Sequence, residues 1–507
     1  MLSTTPPWRG VPLQWLRTAS AADLLKVGCL VALFVAIFSG RFSFVRFADE
    51  LARSDWLQLR FWFSALALAG WAALQRHGDR SSRLRLGAEL IIWLALFFLL
   101  YAYLLANVVV LGDASSVAGQ ITDIAITATQ AWLIIQIVRS ETDLAWFARI
   151  AEGVGVVLFI LCLAGFGNPD VNGASWAPFG GPITFYRLEF LAFCCALYLY
   201  AREGEPLPLL HLLVAAIALF STLASLSKTA LFSAVIAAAL ILFWFVSVRR
   251  WRQALLVGVT VAIALSAFAS LRGKIMAARV NEAVETPIAL LGDEQAGRRD
   301  WPVAVLRRIQ AGENVRFADL PAWQQRYIRA VVTDDNLDKL PLPAILENVN
   351  RLVIYQDSTA RARLWSEAWF LYRSSPWIGV GIGNYLIEDI NRYSKEIELY
   401  RYPHNIVLEM AAFTGTVGVV LFSLLALHSL VCVTRRAMKQ PALVCAMAYL
   451  VFVLATALSS GDYFDFRVFW LFALLVLAAT AGRASVPIGA GSTKMRLGDV
   501  PSVSSDG

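Results

Sequence analysis

The stretch "YPHNIVLEMAAFTGTVG" sets His404 and Asn405 side by side where a long polar segment gives way to a run apolar enough to cross a membrane. The chain holds only four histidines, so the placement is informative. Imidazole titrates near neutrality, which suits a general base, and a positioned base contributes about 10²–10⁴-fold in rate. Tyr400 and Tyr402 stand just before it. Upstream, "STARARLWSEAWFLYRSSPWIGVGIGNY" (358–385) carries Arg361 and Arg363. Two residues apart on a helix, these guanidiniums face different ways, so at most one serves a shared site. Arg187 in "TFYRLEF" and Lys228 in "LASLSKTALFSA" are further cations near the ends of apolar runs.

Each feature also has a plainer reading. A histidine at a helix entrance is often a satisfied hydrogen bonder, and a lysine there often snorkels to the interface. The glycines of "GVGIGNY" match neither a Rossmann nor a Walker spacing and follow no strand, so they read as a tight turn. Gly415 and Gly418 read as sites of close helix packing. Asp462 and Asp465 in "SSGDYFDFR" are loop carboxylates that suit sugar hydroxyls. His77, His211 and His428 are scattered, no Asp-x-Asp occurs, and no cluster has metal-ligand spacing. No metal is expected. All six cysteines (29, 162, 194, 195, 432, 445) lie in apolar runs and read as core filling.

The elements that must position these residues are membrane helices. Of 507 residues, 58% are hydrophobic and 16% charged, well below the roughly 25% charged residues of a soluble domain. Apolar runs of about twenty residues, enough to span roughly 30 Å of hydrocarbon, recur about twelve times. They lie near 22–40, 56–74, 87–111, 121–138, 149–166, 185–201, 207–226, 229–247, 253–271, 404–432, 441–460 and 467–482. The first has no small-residue cleavage site and reads as a membrane helix, not a signal peptide.

The net charge of +7 does not indicate nucleic acid, because the basic residues cluster in short loops. "QRHGDRSSRLR" (75–85), "RRWR" (249–252) and "TRRAMKQ" (434–440) mark the cytoplasmic side. The alternate loops at 112–120 and 167–186 lack Lys and Arg until the next helix, although 41–55 carries three arginines against this trend. The expected organisation is a nine-helix membrane region (1–271), a large helical loop on the outer side (272–403), a three-helix membrane region (404–482) and a disordered cytoplasmic tail (483–507). Within the loop, "AILENVNRLVIY" and "ARARLWSEAWFLYRSS" read as amphipathic helices.

The block from 358 to 418 resembles the O-antigen ligase and O-antigen polymerase superfamily of bacterial envelope polysaccharide enzymes. The resemblance rests on the ordered set Arg361 to Trp365, then Pro376, Gly379, Gly381, Gly383 and Asn384, then His404, Asn405, Leu408, Gly415 and Gly418. "LASLSKTALFSA" is similar to the family's Ser-x-Ser-Arg-Gly/Thr motif, with Lys228 where arginine is usual. The resemblance implies an all-α, GT-C-like integral membrane protein of about twelve transmembrane helices. It further implies glycosyl transfer from an undecaprenyl-diphosphate-linked glycan to an acceptor hydroxyl, at the periplasmic face of the inner membrane. In a ligase the acceptor is lipid A-core. In a polymerase it is another lipid-linked glycan.

On this reading His404 and Arg361 are catalytic, while Lys228, Arg187 and Asn405 contact substrate. A diphosphate leaving group needs fixed positive charge, not a general acid. Arginine grips phosphate with two parallel bonds, and lysine acts as a point charge. The family implies no cofactor and no nucleotide sugar; the partners are donor, acceptor and membrane lipids. A non-enzymatic glycolipid transporter is the competing class. It would show internal repeats and charges spread within its spans. No repeat is evident, and the charges are expected to gather at the outer ends of the spans instead.

Overall fold

The computed structural model describes residues 20–39, 59–76, 87–112, 117–164, 181–202, 205, 207–225, 227–280, 301–321, 324–325, 328–329, 341–355, 360–385, 387–390, 397–400, 403–460, 463 and 466–481. The 41–55 loop, most of the 75–85 and 167–186 loops, Asp462, Asp465 and the tail from 483 lie outside the described residues.

All twelve apolar runs are helices: α1 Ala21–Phe38, α2 Leu59–Arg76, α3 Ala88–Leu111, α4 Val117–Ile137, α5 Glu141–Leu163, α6 Gly181–Ala201, α7 Pro208–Ala224, α8 Lys228–Ser247 and α9 Trp251–Val280 come first. After an intervening segment with α10 Trp301–Gln310, α11 Leu342–Tyr355 and α12 Ala360–Ser374 come α13 Ile406–Lys439, α14 Val444–Ser460 and α15 Arg467–Ala481. Seven helices among the described residues are long and apolar enough to cross a membrane, and α7 and α15 are apolar but shorter. The other three carry charges within their length: Arg60 on α2, Asp123 on α4, and Arg187 and Glu189 on α6. The fold is that of an all-α, multi-pass membrane protein.

Local sequence sets the helix starts. Ser20 and Asp23 form a reciprocal capping box on α1, and Ser140 and Ser227 cap α5 and α8 through hydroxyls that accept amide hydrogens. The hub is α15, whose residues 467 to 480 are all buried. It packs against α1, α3, α4, α5, α13 and α14. A helix shorter than the bilayer can sit there because other helices, not lipid, surround it.

The helices alternate in direction, and side-chain contacts show which ends share a face. Lys26 pairs with Asp143, Arg149 with Glu205, and Arg436 with Glu89, while Gln440 bonds Glu141. These join the starts of α1, α3, α5 and α14, the α6–α7 link and the end of α13. We call this the ion-paired end. The opposite end, which holds the close of α3 and α14 and the start of α13, carries His404.

The intervening segment has a small core of its own. Val305, Leu320, Ile328, Ile345, Leu346 and Val349 are buried together where α10 meets α11, so "AILENVNRLVIY" is amphipathic as its pattern predicts. One feature absent from the sequence reading is a two-stranded antiparallel ribbon, β1 Ile387–Ile390 with β2 Ile397–Tyr400, in register Ile387 to Tyr400.

Candidate active site

Three consecutive residues make a sharp corner at the entrance to α13. His404 has φ +56°, in the left-handed region where non-glycine residues are uncommon and strain of about 1–3 kcal/mol is stored. Asn405 then caps the helix: its Oδ1 accepts from the amides of Val407 and Leu408, both at 3.0 Å. Its Nδ2 donates to the Leu458 carbonyl at 2.7 Å, which ties the corner to the end of α14. The sequence reading made Asn405 a substrate contact. The structure commits both oxygen lone pairs and one N–H to holding the corner, which leaves a single N–H for anything else. Pro403 contributes its carbonyl, which accepts from the Trp365 indole of α12 at 3.1 Å.

That last bond fixes α12 beside the corner. Arg361 lies one helical turn before Trp365, and between them the Leu364 carbonyl accepts from the buried Tyr385 hydroxyl at 3.0 Å. The backbone therefore brings position 361 into the neighbourhood of 404; the Arg361 side chain is outside the described set. The same holds for Lys228, the first residue of α8, whose backbone lies at the His404 end. Arg187 is buried in α6. That helix and α8 both pack against α14, with Phe190 stacked on Phe452 at 3.9 Å. So α14 is the shared neighbour of the 404 corner and of the helices bearing positions 187 and 228.

Below the corner, α13 is broken. Gly415 adopts φ 62°, ψ −165° inside an otherwise helical span. In a regular helix the amides of Thr416 and Val417 would bond the carbonyls of residues 412 and 413. Instead they donate to Pro376 and Trp377, at 2.8 and 3.2 Å. The carbonyls of Ala412 and Phe413 accept from Val380 and Gly381, at 2.9 and 3.0 Å. The glycine turn after α12 and the break in α13 are thus two halves of one junction. Glycine is required on both sides. A Cβ on Gly379 would stand 2.2 Å from the Phe413 carbonyl carbon, and one on Gly415 would stand 2.4 Å from that of Trp377. Gly415 was read from sequence as a packing glycine; it is instead the break itself, which only the turn's hydrogen bonds make tolerable.

Asn107 of α3, absent from the sequence reading, completes the junction. Its Nδ2 donates to the Ile378 and Phe413 carbonyls, and its Oδ1 accepts from the Ile382 amide, all at 3.0–3.1 Å. Tyr103 donates to the Thr414 carbonyl at 2.7 Å. A lone asparagine in "LLANVVV" was the available signal, since a polar side chain in an apolar helix needs partners. Glu409 was missed too. It is buried in the first turn of α13, where the helix dipole favours an acid, and one oxygen accepts from the Tyr463 amide at 3.1 Å. Arg467, at the start of α15, is also buried.

The arrangement offers an imidazole at a strained corner, a helix start bearing an arginine position beside it, and a rigid backbone junction beneath both. Residues 213–423 of the chain match the family model described as O-antigen ligase. A search of curated proteins finds no match.

Proposed function

Because the chain belongs to the O-antigen ligase and O-antigen polymerase superfamily, we propose that it is a ligase of that group. In this reading it moves a glycan en bloc from undecaprenyl diphosphate to a hydroxyl of lipid A-core, at the periplasmic face of the bacterial inner membrane. The observation that supports the reading best is the hold of α12 on the Pro403–Asn405 corner, which puts the 361 and 404 positions together at one end of the bundle.

The acceptor hydroxyl attacks the anomeric carbon as the bond from that carbon to the diphosphate oxygen breaks, with inversion. The bonding pair leaves on undecaprenyl diphosphate, and the acceptor's proton passes to His404. Arg361 faces the phosphates as a two-pronged donor, with Lys228 and Arg187 adding positive charge from the helices that share α14 as a neighbour. Asn405 keeps the corner in place. A diphosphate is a weak base and departs without a general acid, and the reaction is proposed to run without a metal. Donor from the lipid and acceptor from the water side meet at this interface.

The polymerase reading uses the same residues with a second lipid-linked glycan as acceptor. A lipopolysaccharide gel from cells lacking the protein separates the two. A missing ligase leaves long chains stranded on the lipid carrier, and this is the expected pattern. Single repeat units would instead identify a polymerase, and unchanged lipopolysaccharide would overturn both. Complementation with Arg361→Ala should fail while the protein accumulates in the membrane, and Arg361→Lys should restore little. Full restoration by lysine would reduce the arginine to a point charge.

A further inference from the structure

We propose that the end of α12 and the first residues of the following turn form an interfacial anchor, with Trp377 and Ile378 at its tip seated in the edge of the bilayer. The sequence pattern places this stretch in a solvated loop; the hydrogen bonds give it another course. At its start α12 is level with the entrance to α13, through Trp365 and Pro403. A little further on, the Tyr372 hydroxyl bonds Thr416 at 3.0 Å, and Pro376 and Trp377 receive the amides of Thr416 and Val417. The helical stretch from 406 to 414 separates the corner from the break at Gly415 by about 12 Å at 1.5 Å per residue. The chain then climbs back: Asn384 donates to the Leu111 carbonyl at the end of α3, and Tyr385 returns to Leu364. The segment 360–385 therefore dips toward the bilayer and returns.

Its lowest part is apolar and uncovered. Trp377 is 70% exposed, and Trp369, Phe370 and Ile378 are exposed with it. Water is not the natural neighbour of such a patch. The Ile378 carbonyl accepts from Asn107, so the tip is level with the last turn of α3. There Val109 and Val110 are also exposed, Val110 at 76%. Counted from Glu89 at the ion-paired end, twenty residues of α3 reach this level, which is the thickness of the hydrocarbon. The tip thus continues the lipid-facing surface of a membrane helix. Its composition fits the boundary between acyl chains and headgroups: tryptophans in the lower part, and Arg373 exposed in the last turn of α12 to reach phosphates.

The test places a nitroxide on the full-length protein in nanodiscs of phosphatidylethanolamine and phosphatidylglycerol. Power saturation then compares access by oxygen, which concentrates in acyl chains, with access by a water-soluble nickel chelate. Val110→Cys gives the lipid reference and Glu313→Cys, on an exposed loop, the aqueous one; unsubstituted protein gives the background from native thiols. At Trp377→Cys the anchor predicts greater oxygen than nickel access, on the side of the Val110 label. Greater nickel access, on the side of the Glu313 label, would overturn it. Phe370→Cys repeats the reading should Trp377→Cys fail to fold. No glycan transfer is measured, so the result stands apart from the proposed reaction.

Discussion

At the ion-paired end the helices are joined by charge: Lys26 to Asp143 at 2.7 Å, Arg149 to Glu205 at 2.6 Å and Arg436 to Glu89 at 3.1 Å. The junction under the His404 corner is joined by neutral groups. Asn107, Asn384, Tyr103 and Tyr385 bond backbone carbonyls, and the turn at 376–381 exchanges amides with the break at Gly415. The two solutions respond differently to their surroundings. Partly exposed ion pairs contribute about 0–1 kcal/mol each and weaken with salt. A buried amide that loses its partners costs about 1–3 kcal/mol per group, whatever the ionic strength. For the proposed reaction, with a diphosphate and a moving proton, a scaffold whose bonds change with neither is an advantage. The difference teaches where precision is kept: charge gathers helix ends, at the ion-paired end and in the Arg60–Asp123 pair that joins α2 to α4, while neutral hydrogen bonds fix the backbone geometry of the junction.

The sharpest way to break this contrast is Gly379→Ala. The new methyl meets the Phe413 backbone at 2.2 Å, and the residue must hold φ +73°. Strain and overpacking together cost about 2–5 kcal/mol. Thermal unfolding of the purified protein should shift down by several degrees, and transfer should fall at least tenfold. A variant with unaltered melting would mean that the turn and the break do not depend on each other.

Asn107→Ala should come next, at about 1–3 kcal/mol, because it strands the Ile382 amide in a buried site. Turnover is expected to fall by roughly tenfold while donor KM stays near its starting value, since the residue's bonds go to the junction. The loss should be the same in low and high salt. A salt-dependent loss would place the residue in an electrostatic role and blur the contrast.

The smallest effect belongs to the other end. Lys26→Met removes a pair whose lysine is 31% exposed, and buried Asp143 keeps the Arg139 amide and the Ser140 hydroxyl as donors, so the expected change is about 1 kcal/mol, with transfer unchanged. A large loss of activity there would show that the two ends are coupled.

Much of this scaffold was legible from the order of residues. Apolar runs announced a helix at each of twelve places, and in seven of them, among the described residues, the helix has the length and apolarity that bilayer thickness imposes. The amphipathic pattern of 344–355 likewise announced the small core it joins. The glycines of 379–383 announced a turn. What they did not announce was its partner. The run beginning at 404 read as one uninterrupted span because a single glycine in an apolar helix is usually tolerated. Only the positions of Pro376 and Trp377 in space show that the amides after Gly415 are satisfied elsewhere. Asn107 lies 271 residues from the carbonyl of Ile378 that it binds, beyond the reach of any local pattern. The strained backbone of His404 was equally hidden, although the histidine itself stood out by type and place.

The most direct test of the account is transfer by purified His404→Ala protein in lipid nanodiscs, with an undecaprenyl-diphosphate-linked glycan donor and a lipid A-core acceptor, read as release of undecaprenyl diphosphate. If His404 is the base, the rate falls at least about a hundredfold while the melting temperature stays within a few degrees of the parent. A folded His404→Ala protein that transfers glycan at the parental rate would contradict the claim.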